Sequence, residues 1–97
     1  MTDYKDKYVL VRTYSAGVHF GYLKSLTGTE AVLTEARRLW YWDGAFTLSA
    51  VAESGINLKN SKISVAVPEI LLTQAIEILP IQDAVKESLS KAEAHKP

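Results

Sequence analysis

Hydrophobic and polar positions alternate along much of the first half of the chain, and this period of two predicts β-strands. The predicted strands are residues 8–14, 18–24 and 30–34, and residues 36–42 either continue the third strand or form a fourth. Turns are expected at residues 15–17 and 27–28, where glycine occurs. Gly21 lies inside the second strand, which indicates a bulge or a sharp bend.

The second half begins with a helical pattern. Thr47 can cap a short helix that extends to Glu53, and Gly55 fits the stop position that follows. A strand is predicted at residues 62–67, which Pro68 ends or places at an edge. Residues 70–79 are ambiguous between helix and strand, and their alternation and β-branched residues favour a strand.

A last helix is predicted at residues 83–94, where good helix formers include the pair Glu87 and Lys91 four residues apart. Its apolar stripe is narrow, with Ile81, Val85 and Leu89. These elements predict a mostly β (α+β) fold, a small antiparallel SH3-like barrel with one short inserted helix and a C-terminal helix. An open α+β sheet is the alternative. We expect a polar arm at residues 1–7, one β-rich domain at 8–80 and a helical tail at 81–97.

Composition excludes several classes of protein. The chain has 97 residues, and its 11 basic and 11 acidic residues give no net charge, which disfavours nucleic acid and anionic lipid as bulk partners. It has no cysteine, so disulfides and thiolate metal sites are excluded. No apolar run approaches the roughly 18 residues that span a membrane, and the charged residues 1–7 lead us to expect no signal peptide. We therefore expect no membrane association and a cytoplasmic location.

Two resemblances add to this interpretation. The first half is similar in rhythm to an Sm-like or other SH3-like barrel, in its segments Val9–Arg12, Gly21–Leu23, Ala31–Leu33 and Ala36–Arg37, separated by Gly17 and Gly28. Residues 36–49 resemble a family of small uncharacterised proteins of tailed bacteriophages and prophages that share an "ARR-aliphatic-WYW-x-GA-x-x-LS" segment. This second resemblance runs over about residues 8–80. It implies a phage origin and the cytoplasm of an infected bacterial host, and it implies no activity.

The same segment carries the strongest candidate for chemistry. Both tryptophans of the chain, Trp40 and Trp42, share a strand face with Arg38, because residues two apart point to the same side. Arginine grips phosphate and indole rings stack on bases, so this face suits a flat anionic ligand. Arg37 lies on the other face, and we expect it to be structural and paired with Asp43 or Glu35. The alternative is that one tryptophan is core, or that both form an oligomer interface.

Other chemistry has little support. Arg12 and His19 come from neighbouring strands on either side of the turn at residues 15–17, and they could flank a ligand phosphate. A histidine metal site needs more ligands than His19 and His95, so no metal site is predicted. No nucleophile elbow, paired carboxylates or phosphate loop occurs, so no catalytic residue, no cofactor and no enzymatic activity are predicted.

These features predict a phage-encoded ligand-binding module that sequesters a nucleotide-type host immune signal. Its ligand-binding residues would be Arg38, Trp40, Trp42, Arg12 and His19. A module that binds a host protein and a structural or accessory phage protein are the alternatives. We also expect a homo-oligomer, because a chain of this size has too many large rings for its own core. These rings are Tyr8, Tyr14, Phe20, Tyr22, Trp40, Tyr41, Trp42 and Phe46.

Overall fold

Six strands and two helices form the part of the chain that the computed structural model describes, residues 4–15, 17–42, 47–58 and 61–94. In chain order they are β1 (Tyr8–Thr13), β2 (Val18–Thr27), β3 (Glu30–Tyr41), α1 (Leu48–Ser54), β4 (Lys62–Ile63), β5 (Val67–Leu72), β6 (Ala75–Pro80) and α2 (Asp83–Ser90). The expected mostly β, α+β domain with two helices is confirmed. None of the helices in these ranges is long and apolar enough to cross a membrane.

All strand pairs are antiparallel. The order across the sheet is β4-β3-β2-β1-β6, and β5 also pairs with β3. A two-residue turn joins β5 to β6, but no ladder joins these two strands in the described residues, so the sheet is not closed. The sheet therefore remains open, as in the alternative prediction.

The bend at Gly21 explains how long strands curve around a small core. The ladder between β2 and β3 shifts register between Phe20 and Tyr22, opposite Glu35, whose φ is 49°. A Cβ atom on residue 21 would lie 2.8 Å from the carbonyl oxygen of Thr34, so only glycine fits this close approach. β3 continues through the irregularity to Tyr41, which resolves residues 36–42 as a continuation of the third strand.

The sheet is buried on both faces of β1. Tyr8 and Leu10 belong to a first core that α1 and α2 cover, with Phe20 and Leu39 from the neighbouring strands. Val9 and Val11 belong to a second core that the curved sheet itself encloses. This double burial explains the uninterrupted apolar run at the start of the strand.

Two strand predictions need correction. The strand expected at residues 62–67 is only Lys62–Ile63, and Pro68 lies inside β5 rather than ending a strand. Proline is tolerated there because the second edge of β5 is unpaired among the described residues. The single strand expected at residues 70–79 is two strands with a turn at Thr73 and Gln74. A two-residue turn preserves the period of two, so alternation alone does not reveal it.

The helix predictions are confirmed in their main features. The Thr47 hydroxyl accepts a hydrogen bond from the Ala50 backbone N–H at 3.1 Å, and Gly55 follows α1 with a φ of 83°. α2 ends at Ser90, before the predicted residue 94, and its Val85 and Leu89 are buried in the first core. At the other end, the Asp6 N–H donates to the Leu23 carbonyl at 2.7 Å, so the predicted polar arm partly extends the sheet.

Candidate ligand-binding groove

Side chains alternate across β3 near its end, as the sequence predicted. Arg37 and Leu39 are buried, whereas Arg38 and Trp40 are exposed. The register places Leu39 opposite Val18 and Arg38 opposite His19 on β2. Two adjacent arginines therefore point to opposite sides of one strand, where they meet different surroundings.

Arg37 is a structural residue. Its Nε donates to the Ser64 carbonyl at 2.8 Å, and its Nη1 donates to the Leu89 carbonyl at 3.1 Å. Leu89 lies in the last turn of α2, where carbonyl groups lack an intrahelical donor and a cation is favourable. Burial lowers the pKa of the Arg37 guanidinium. Its described partners are carbonyls rather than the expected Glu35, and Asp43 lies outside the described residues.

Arg38 is held at its backbone and at one side-chain atom. Its backbone N–H donates to the Ser64 hydroxyl at 2.8 Å, and its Nε donates to Nε2 of His19 at 3.3 Å. In the described part of the chain, no carboxylate lies within salt-bridge distance of Arg38. An exposed guanidinium with no acid beside it has donors available for an anion.

His19 is buried beneath Arg38, with 2% of its surface exposed. Burial lowers its pKa, and together with the smaller effect of the neighbouring Arg38 charge it brings the pKa to about 4. The imidazole is therefore neutral at pH 7. Its Nδ1 has no hydrogen-bond partner in the described residues.

Arg38 lines three concave regions that share residues. The first, which we call the tryptophan groove, has a volume of about 380 Å³ and is lined by Arg38, Trp40, Trp42, Ser15, Gly17, Val18 and Leu39. A second, of about 400 Å³, is lined by Arg38, Trp40, Ser64 and Val65. A third, of about 220 Å³, extends from Arg38 to His19. The predicted Arg38, Trp40 and Trp42 therefore line one continuous surface.

The aromatic rings at this surface differ in exposure. Trp40 and Tyr41 are each 53% exposed, and the Lys62 ammonium lies 5.2 Å and 6.0 Å from their respective ring centres. Such distances permit cation–π attraction. Trp42 is half-buried, because its ring packs against the first core. Two cations, Arg38 and Lys62, thus accompany an exposed indole.

Arg12 and His19 do not come together. Arg12 is exposed on β1 opposite Val18 and Glu77, whereas His19 is buried opposite Val11, so the two side chains lie on opposite faces of the sheet. Arg12 lines a separate concavity of about 420 Å³ near Thr47, and Trp42 lines both this concavity and the tryptophan groove.

Sequence reasoning missed Lys62 and Ser64, which come from β4 and the residue after it. Their chain separation from β3 hid them, since the two segments meet only through the pairing of β3 with β4, Leu39 with Ile63 and Tyr41 with Lys62. A residue pattern confined to β3 carries no signal for such a distant neighbour.

A larger concavity of about 440 Å³ lies away from the tryptophan groove, between the start of β1 and α2. Its polar groups largely satisfy each other: Gln82 donates to Glu53 at 2.8 Å, and the Lys86 ammonium lies 5.0 Å from the Tyr22 ring centre. Both acidic residues and lysines line this concavity, so its surface does not carry a single sign of charge. The Arg38 surface is the better candidate site.

Comparison with known proteins gives a family without a described activity. No curated protein and no solved structure matches the chain. Residues 6–89 match the model of a family described as a domain of unknown function (DUF6948), and this match includes all six strands and nearly the whole of α2. The chain therefore belongs to the DUF6948 family.

Proposed function

We propose that the protein binds a nucleotide-type ligand in the tryptophan groove. The observation that carries this proposal is the position of Arg38, an exposed guanidinium that shares one groove with Trp40 and Trp42. The base would stack on the exposed Trp40 ring, and a phosphate would contact the Arg38 guanidinium. Lys62, which lies over the same ring, adds a second positive charge for a ligand with more than one phosphate.

The groove volume and the energies of stacking and phosphate binding favour a small ligand over a long nucleic acid. Stacking on an indole contributes about 1–3 kcal/mol per base, and an arginine–phosphate pair adds directional, charge-assisted hydrogen bonds. The groove volume of about 380 Å³ is in the range of small-molecule sites. The chain has no net charge, so binding would depend on this local patch rather than on a general attraction to polyanions.

The biological role that we propose is sequestration of a host signalling nucleotide by a phage protein in the bacterial cytoplasm. Its support is the resemblance of residues 36–49 to phage proteins, together with a site whose described residues offer an arginine, a lysine and indole rings for binding. A sequestering protein removes one ligand molecule for each binding site. A homo-oligomer would therefore carry several sites in one particle. We propose a homo-oligomer on the basis of exposed apolar side chains that include Tyr14 and Val65.

Thermal unfolding with a panel of mononucleotides, cyclic mononucleotides and cyclic dinucleotides tests the binding proposal. A ligand at 100 times its Kd adds about 2.7 kcal/mol of stability, which is easily measured. We expect Arg38→Ala and Trp40→Ala to abolish the shift. Arg12→Ala is the matched control, because Arg12 is also exposed but lies outside the groove. The proposal would be contradicted if no nucleotide raised the Tm, or if Arg12→Ala abolished the Tm shift as completely as Arg38→Ala.

Binding of a host protein is the second candidate. Exposed apolar side chains beyond the groove favour it, since Leu71 is 54% exposed on β5 and Ile76 is 55% exposed on β6. Both strands have one unpaired edge in the described residues, and such edges accept an added strand. Light scattering after size exclusion, with Leu71→Lys as the variant, separates self-association from a heterologous partner. A strict monomer at micromolar concentration would refute the homo-oligomer.

A further inference from the structure

His19 and Arg38 form a polar pair in an otherwise apolar setting. They are direct partners in the ladder between β2 and β3, and Nε2 of His19 accepts a hydrogen bond from Nε of Arg38. His19 is almost fully buried, whereas Arg38 is exposed. The buried His19 thus holds the exposed Arg38 at Nε, the guanidinium nitrogen next to the aliphatic stem.

The hydrogen bond fixes the tautomer of His19. A guanidinium only donates, so Nε2 must be the unprotonated nitrogen and the proton must be on Nδ1. Nδ1 has no partner in the described residues, so the fold tolerates a buried N–H that a leucine or phenylalanine would avoid. Packing alone does not explain why this position is a histidine. The need for a hydrogen-bond acceptor for Arg38 does explain it.

We propose that His19 is a positioning residue that fixes the orientation of Arg38, so that the guanidinium presents its terminal Nη1 and Nη2 groups to an oxyanion of the ligand. This inference rests on the proposed function for the identity of the ligand, a phosphate-bearing nucleotide. Because Nε is occupied, the phosphate is contacted end-on by two parallel donors. His19 itself does not touch the ligand, which revises its predicted role.

The surroundings of His19 keep it an acceptor at neutral pH. Arg38 is the charged group that faces it from β3, and Val11 faces it from β1. The small cavity beside it is completed by Ser64 and by apolar residues such as Val67, and the Arg37 guanidinium is engaged with carbonyl groups. With its pKa lowered to about 4, His19 is neutral and accepts from Arg38 at pH 7.

Nitrogen NMR of the free protein tests the pair without any ligand. In a His95→Ala background only His19 gives imidazole signals, and we expect protonated Nδ1 and unprotonated Nε2 at pH 7. The Arg38 Nε–H signal should be protected from exchange, should lose that protection in His19→Phe and should retain it in His19→Gln, whose amide oxygen can accept. A protonated Nε2, or an Arg38 signal that is indifferent to His19→Phe, would overturn the proposal.

Adenosine 5′-monophosphate is the binding probe, followed through the Trp40 indole N–H. We expect His19→Phe to weaken binding about tenfold and His19→Gln to restore most of it. Equal binding by His19→Phe and the wild type would contradict the positioning role. If the wild-type protein does not bind the probe, the proposed function fails for this nucleotide, while the NMR experiment still decides the role of His19. If His19→Phe does not fold, His19→Leu takes its place in both measurements.

Discussion

The strongest prediction concerns Arg37, whose substitution by alanine should destabilise the fold. Its guanidinium joins three separate segments, because it extends from β3 to the carbonyls of Ser64 and Leu89. Removing it takes the charged donor from both carbonyls, although Leu89 still accepts from the Ala92 N–H at 3.3 Å, and a hydrogen bond to a charged group contributes about 1.5–3 kcal/mol. The aliphatic stem is also lost from the first core. Together these effects predict a loss of about 3 kcal/mol in the free energy of unfolding.

Urea unfolding at pH 7 measures this loss, and Arg38→Ala is the matched control. Arg38 has the same side chain one residue later but is exposed, and its removal takes away only the donor to Nε2 of His19, so it should cost about 1 kcal/mol, clearly less than Arg37→Ala. For a domain of this size, about 3 kcal/mol corresponds to a fall in Tm of roughly 12–24 °C. Arg37→Lys should be intermediate, because an ammonium keeps the charge but not the two-pronged geometry.

Three results would refute this reasoning. If Arg38→Ala costs as much as Arg37→Ala, the whole segment is core or interface, and Arg38 is not a free binding group. If Arg38→Ala costs more, the faces of β3 are assigned the wrong way round. Unchanged stability in Arg37→Ala would mean that its hydrogen bonds merely replace equivalent bonds to water.

Three further predictions test the fold and its pH dependence. Gly21→Ala should cost about 2 kcal/mol or more, because the new Cβ would meet the Thr34 carbonyl at 2.8 Å, and calorimetry measures the fall in Tm. Thr47→Ala should cost about 1 kcal/mol in urea unfolding, because the cap of the Ala50 N–H is lost, whereas Thr47→Ser should retain most of the stability. His19 has a pKa of about 4 in the folded state and 6.5 in the unfolded state, so the unfolded state binds more protons between these two pH values. The folded protein therefore loses stability as the pH falls from 6.5 to 4. The loss is at most about 3 kcal/mol, and His19→Gln should lack this part of the pH slope; identical slopes would contradict the assignment.

The faces of β3 could be predicted because strand alternation is a local property. The period of two separates Arg37 from Arg38 regardless of what the strand pairs with, and the structure keeps that separation through Trp40. Trp42 departs from the pattern because it follows the last residue of β3, and it packs against the helix-covered core while still lining the tryptophan groove. Alternation therefore predicts a face only as far as the strand itself continues.

The partners of these side chains could not be predicted, because they depend on contacts between distant segments. No local pattern relates Arg37 to Leu89, 52 positions later, or Arg38 to Ser64, 26 positions later. An acidic partner for Arg37 was the reasonable expectation from charge alone, and the structure supplies backbone carbonyls at a helix end instead. The buried state of His19 was hidden in the same way, since its alternating strand gave no sign that both faces of the sheet are covered.

Ser64 connects the structural arginine to the binding arginine. Its carbonyl accepts from the Arg37 guanidinium, and its hydroxyl accepts from the Arg38 backbone N–H. Its backbone N–H also donates to the Arg38 carbonyl at 2.9 Å, so the residue after β4 is tied to β3 through all three of its polar groups. Because these bonds fix the segment that carries Val65 along the edge of the site, loss of Arg37 would disturb the ligand surface without any direct contact to it. A binding defect in an Arg37 variant therefore indicates a damaged scaffold, whereas the same defect in an Arg38→Ala protein that is still stably folded indicates loss of the binding group.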